Sequence, residues 1–216
     1  MPVLTADRSP DQLVAELERF VELDWSTVWA GIPQDEEERE VWCARFGWRP
    51  LWFQGGQWVR TAQGGRLHLA SGAPGRPVTG VGHALWSVRA DAAAQNGALM
   101  ALTAGKWPAY VAAVQSVLSV PTWSGDWDTA GFPDPPGRGY WQDAEWRAEH
   151  RDPYRLAVWS FRTPGAPLFV LKASLAAGTA TGWGPGSATI SLACHGSRPR
   201  GRRTRLAVVT TKNPKD

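Results

Sequence analysis

Asp91–Pro121 reads DAAAQNGALMALTAGKWPAYVAAVQSVLSVP and separates two blocks rich in strand-forming residues. In its second half, Trp107, Tyr110, Val111, Val114, Val117 and Leu118 recur at helical spacing and give one apolar stripe. Pro108 suits a first turn, where a missing N–H costs nothing, and Pro121 forbids continuation past Val120. Asp91 can cap a shorter piece carrying Leu99 and Leu102, ended by Gly105. The stretch therefore predicts a helix broken near Gly105–Pro108. A helix with one apolar stripe needs a surface to lie on, and the flanking strands supply it.

Upstream, Met1–Pro10 reads as a flexible arm. Ser9-Pro10-Asp11-Gln12 then opens a helix with an N-cap, a proline at the first position and a capping-box Gln. Leu13, Leu17, Phe20 and Val21 make its apolar face. A second helix is expected over Asp35–Phe46, with Glu36, Glu37 and Glu38 at the positive end of its dipole. Gly47 is a natural stop.

Short strands follow at Arg49–Gln54 and Gln57–Thr61 around Gly55-Gly56, then at Arg66–Ser71 and Gly82–Arg89. Beyond Pro121, Thr122–Gly139 is a long Gly/Pro/Asp-rich loop holding Trp123, Trp127 and Phe132, and loops of that length are functional or mobile. Strands resume at Tyr140–Ala148, Tyr154–Arg162, Leu168–Leu175 and Ser187–His195, with a possible last one at Leu206–Thr211. No repeat with a period of 20–50 residues is visible. The expected fold is α+β: an antiparallel sheet with helices mainly on one face, in the order α-α-β(4)-α-β(3-5). Residues 11–195 form a single domain, and 196–216 a basic, disordered tail.

Composition bounds the function. The chain has 216 residues, enough for one substantial core. No run approaches the ~18–20 apolar residues of a membrane span, and no basic region followed by an apolar run opens the chain. A cytoplasmic protein with no membrane partner is expected. Only 4 of 23 basic residues are lysine, and Trp is frequent at 14, a bias of GC-rich genomes that weakens arginine content as a sign of nucleic-acid binding. Charge is unevenly spread: −7 over residues 1–48, +4 over 49–194 and +6 over 195–216.

Catalytic and cofactor patterns do not emerge. The four histidines, His68, His83, His150 and His195, share no metal-ligand spacing. Cys194-His195 point to opposite faces of a strand. Cys194 shares its face with Ile190 and Leu192, which favours buried packing. Gly72–Arg76 lacks a phosphate-loop ending, and Gly178–Gly184 lacks the strand-before, helix-after setting of dinucleotide binding. No catalytic residue, cofactor or metal is assigned.

Three surfaces remain as candidates. Loop residues Trp123, Trp127, Phe132 and Trp183 can anchor a protein partner or cover a sheet edge. The acidic Glu36, Glu37 and Glu38 suit a basic partner, such as a toxin or secreted substrate, although capping of their own helix explains them as well. Arg198, Arg200, Arg202, Arg203 and Arg205 can neutralise phosphates or simply solubilise the C-terminus.

Phe20-x-x-Leu23-Asp24-Trp25, an acidic helix closing on Phe46-Gly47-Trp48, then strands, resembles uncharacterised actinobacterial domains of the immunity-protein or type III secretion chaperone-like kind. Leu118-Ser119-Val120-Pro121 before Trp141–Trp146 is similar to their helix-to-strand junction. The likeness covers most of residues 11–175; the Thr122–Gly139 loop and the basic tail depart from it. It implies a non-enzymatic protein-binding domain, chaperone-like or of toxin-immunity type, acting through its sheet face, acidic helices or Trp-bearing loops. Two alternatives stand beside it. One is a nucleic-acid-binding accessory protein using the arginine tail; the other is an enzyme of unknown class with His68, His83, Asp126 or Asp128 in a pocket.

Overall fold

The computed structural model describes residues 2–137, 140–163, 165–176 and 184–196. Helices α1 (Pro10–Glu22), α2 (Trp25–Ala30) and α3 (Glu36–Arg45) precede strands β2 (Trp48–Phe53), β3 (Gly56–Thr61), β4 (Arg66–Ala70) and β5 (Gly80–Arg89). Helix α4 (Asn96–Leu118) then leads to β6 (Trp123–Asp126), α5 (Ala144–His150), β7 (Arg155–Trp159), β8 (Leu168–Leu175) and β9 (Ser187–His195). The sheet order is β2-β3-β4-β5-β9-β8-β7-β6, all antiparallel. This is the α+β architecture expected.

The order carries a symmetry that sequence periodicity did not reveal. A helix followed by a four-stranded meander occurs twice, as α3-β2-β3-β4-β5 and as α4-β6-β7-β8-β9, the second with α5 inserted between β6 and β7. The two last strands pair at the centre, from Val81↔Cys194 to Arg89↔Ser187. The unit is longer than the 20–50-residue window, and only its architecture repeats.

Local chemistry explains the helices. Ser9 and Gln12 form a full capping box at the start of α1. Asp24, in the Leu23-Asp24-Trp25 motif, accepts hydrogen bonds from the hydroxyls and backbone N–H groups of Ser26 and Thr27, starting the unforeseen α2. Those bonds, the Ser26 hydroxyl first, hold its carboxyl below the usual range. Trp25 Nε1 donates to Phe20 O at 2.9 Å and locks α2 onto α1.

Helices α1–α4 bury one face against the sheet. Leu13, Leu17, Phe20, Trp42, Tyr110 and Val114 meet Val59, Leu67, Leu85, Leu171, Ile190 and Leu192 in one core. A second, smaller cluster on the other face packs Trp141, Trp123 and Phe132 against Leu156, Val158 and Val170. Among the described residues, no helix is long and apolar enough to cross a membrane.

Four expectations need correction. Val3–Asp7 is not a loose arm but β1, pairing with the second half of β5 along the edge that β4 leaves free. Exposed side chains disguised it, since β1 is held by backbone bonds rather than by burial. Thr122–Gly139 is not all loop: its start is β6, paired with β7. Tyr140–Ala148 is not a strand, because Asp143 accepts from Trp146 N at 2.9 Å and caps α5.

The fourth concerns the central stretch. Helix α4 runs unbroken for 23 residues with Pro108 inside it. Tyr110 O–H bonded to Arg8 O, with Trp107, Val114 and Leu118 buried, holds the helix on the core across the proline. Pro108 is itself exposed and so contributes little packing. Replacing it should restore the N–H that the Ala104 carbonyl lacks, so Pro108→Ala is expected to raise unfolding stability by about 2 kcal/mol in urea titration. No gain, or a loss, would mean that the proline shapes the native helix.

Candidate functional site

Strand parity places two rows of side chains on the sheet face opposite helices α1–α4. One row follows the pairs Trp58↔His68, His68↔Gly82, Gly82↔Ala193 and Ala193↔Val170. The other begins Arg49↔Arg60 and Arg60↔Arg66, and continues through Ala84↔Ser191 to Lys172. At ~4.8 Å per strand, the second row runs about 24 Å from Arg49 to Lys172.

The first row is aromatic at its β2–β4 end. Trp52 stacks on Trp58 (centroids 5.8 Å, planes 26° apart), and Trp58 on His68 (4.7 Å, 29°). Trp52 is 46% exposed. His68 Nε2 lies 3.1 Å from Gly55 O; a carbonyl only accepts, so Nε2 carries the proton and the ring plane is fixed. Gly56 is required at the hairpin, since a Cβ there would lie 2.2 Å from Leu69 O.

The second row is cationic. Arg49, Arg60 and Arg66 are exposed and directly opposite one another, and no ion pair or side-chain hydrogen bond engages them among the described residues. Like charges so placed cost stability, by roughly 0.2–1 kcal/mol per pair. Broken local rules of this kind mark functional surfaces. The helical layer has the opposite sign: residues 10–45 carry ten carboxylates against three arginines.

Between the rows lies a cavity of about 630 Å³. Its floor is made of small residues, Gly82, Ala84, Ser191 and Ala193, with His68 on one side and Tyr140 on the other. Arg8, Arg66 and Lys172 line it, with Asp7 the one carboxylate. Tyr140 stacks on His195 at 4.2 Å.

On the core side of β5, where β4 ends and β1 begins, sits a buried polar cluster. Glu16, only 1% exposed, accepts from Thr61 Oγ1 at 2.9 Å and lies 3.5 Å from Arg8 Nη2. Burial raises its pKa, against the opposing pull of Thr61 and Arg8. Gly65 makes room for it, since a Cβ there would meet Glu16 Oε2 at 2.8 Å. His83, 2% exposed, has no partner for either ring nitrogen among the described residues, and burial pushes it down to about 4.

The sequence-derived candidates are scattered. Trp123 and Phe132 pack on each other and on the second cluster, and Phe132 lies under the Arg147 guanidinium. Trp127 sits beneath Arg151, its carbonyl accepting from Arg147 Nε. Glu36, Glu37 and Glu38 are exposed in the first turn of α3, where Asp35 caps the Glu37 and Glu38 N–H groups. Trp183, Arg198, Arg200, Arg202, Arg203, Arg205 and the candidate strand Leu206–Thr211 lie outside the described residues.

Of the candidate pocket residues, His68 and His83 both border the 630 Å³ cavity, although strand parity turns their side chains to opposite faces of the sheet, while Asp126 pairs with Arg155 on the edge strand β6, away from them. Among the described residues, no group of three His, Cys, Asp or Glu could hold a metal ion. Cys43 and Cys194 are free thiols, and burial raises both, Cys43 to about 12.

Sequence reading missed Arg49, Trp52, Trp58, Arg60, Arg66 and Gly82 as one surface. A signal was present in the solvent-side alternation of basic and aromatic residues in β2–β4, but register alone brings it together. Compared with protein-family models, curated proteins and solved structures, the chain finds no match.

The buried imidazoles make stability fall with acid. His83 and His195 both titrate near 4 in the folded chain, against 6.5 when free. Below pH 6.5 the unfolded chain therefore binds protons that the folded chain refuses, and stability is lost as pH falls towards about 4. Each imidazole accounts for about 2 kcal/mol at pH 5. Glu16, with its raised pKa, acts in the opposite sense and restores part of this. Thermal melts of His83→Leu between pH 7.5 and pH 5 should show about half the wild-type loss; an equal loss would remove His83 as a cause.

Proposed function

We propose that this protein is a non-enzymatic binding module whose exposed sheet face takes an extended anionic chain, with single-stranded nucleic acid the best-fitting class. The observation that carries the reading is the unpaired arginine row beside the Trp52–Trp58–His68 stack. Single strands are bound without sequence preference by this combination, cations along the backbone and aromatic rings against the bases. The acidic helices on the opposite side would repel a polyanion and orient it towards the sheet. The basic tail, close in sequence to β9, would add phosphate contacts in the same sense. A cytoplasmic setting fits, with two buried free thiols in place of a disulfide.

A second reading keeps the same face but gives it a protein segment, in a chaperone-like or toxin-immunity role. One observation favours it: the outer face of β7 and β8 is covered by the chain's own Trp141, whereas that of β3 and β4, their counterparts in the first half, is bare. The arginines would then call for an acidic segment.

Fluorescence anisotropy of the full chain with a labelled single-stranded oligonucleotide, against a polyglutamate peptide of equal charge, separates the two. Arg49→Gln/Arg60→Gln/Arg66→Gln should weaken oligonucleotide binding and lower the slope of log K against log salt by about 2. Unchanged affinity and slope would sink the nucleic-acid reading. Tighter binding of polyglutamate would hand the face to a protein.

A further inference from the structure

The aromatic stack on the sheet ends in a gap rather than a wall. His68 is covered on one side by Trp58 at 4.7 Å, and the next residue along its row, on β5, is Gly82. With no side chain there, the other face of the imidazole opens onto the cavity. The row continues with Ala193 before it reaches Val170, so two adjacent positions project at most a methyl group. Three strand spacings separate β4 from β8, about 14 Å, enough for a planar ring laid against His68 with space to spare.

Nothing in the backbone demands glycine at position 82. Its φ is not left-handed, and a Cβ built there meets only His68 O, at 4.0 Å. The missing side chain is therefore a matter of space above the sheet. The rim supplies what a nucleotide needs beyond its base. Arg66 stands two residues from His68 on the same face, and Lys172 is paired with Ser191 across the floor. The volume, about 630 Å³, falls within the ~300–1,000 Å³ of small-molecule sites.

We propose that the gap above Gly82 is a base-binding slot, in which one nucleobase of a single strand continues the Trp52–Trp58–His68 stack while its phosphates lie on Arg66 and Lys172. The slot rests on the nucleic-acid reading and sharpens it. The arginine row holds the backbone of any sequence, and the slot distinguishes a strand that has a base from one that does not. Its floor of Gly82, Ala84 and Ala193 is apolar apart from the small hydroxyl of Ser191, while the charged Asp7, Arg8, Arg66 and Lys172 stand around it, so the base stacks and the charged groups meet the backbone.

The test compares an oligothymidylate with an abasic oligomer of the same length and charge, both titrated into the full chain at fixed salt. The wild-type protein should bind the base-bearing strand about tenfold tighter. Gly82→Leu fills the slot and should bring oligothymidylate down to the abasic affinity. His68→Ala removes the stacking platform and should do the same, so the result does not hang on one variant folding; circular dichroism checks both. Equal affinity of the wild-type protein for the two oligomers overturns the slot, and with it the stacking part of the proposed function, and leaves only the phosphate contacts of the arginine row. Failure of both to bind overturns both. Persistence of the tenfold preference in folded Gly82→Leu and His68→Ala places the base elsewhere and overturns the slot alone.

Discussion

The antiparallel pairing of β5 with β9 is the constraint on which the rest depends. It joins two meanders that are far apart in sequence, and it places the last strand of each at the centre of one continuous sheet. Every long-range relation on the outer face passes through it. The register Gly82↔Ala193 and Ala84↔Ser191 aligns the aromatic row with the small residues that follow, and the arginine row with Lys172. A slip of one residue would turn Ile190, Leu192 and Cys194 outwards, so the buried side of the sheet fixes the geometry of the exposed one.

Much of the fold could be read from local chemistry. The Ser9–Gln12 capping box, the Asp35 cap of α3, the Gly55-Gly56 hairpin and the apolar stripe of α4 are each decided within a few residues. What escaped is decided at a distance. β1 has exposed side chains and exists because β5 offers a free edge beyond Gly80–His83. Helix α4 passes through Pro108 because Trp107, Tyr110 and Val114 hold it on the core, a tertiary contribution that outweighs a local penalty of about 3 kcal/mol. The site was less legible still. Arg49, Arg60 and Arg66 come from three separate strands, and only their register makes them a row.

The two faces of the sheet differ in how far they are covered. On the inner face, burial is thorough enough to leave Glu16 and His83 only 1% and 2% exposed. On the outer face, the second half is sealed by its own Trp141, Trp123 and Phe132, and the first half is left open with charges that repel one another. That repulsion is a standing cost, and an anionic ligand would relieve it. The acidic helical layer behind the sheet gives the molecule a sense of direction, with the polyanion expected on one side only.

On the proposed function, the ligand lies on the open half of this face, β2 to β4. Ultraviolet crosslinking of a thiothymidine-bearing single strand to the full chain, with the attached peptides mapped by mass spectrometry, tests it directly. Crosslinks are expected within residues 49–70, at Trp52, Trp58 or His68 above all. Crosslinks confined to the helices of residues 10–45, or to residues 197–216 alone, would contradict it.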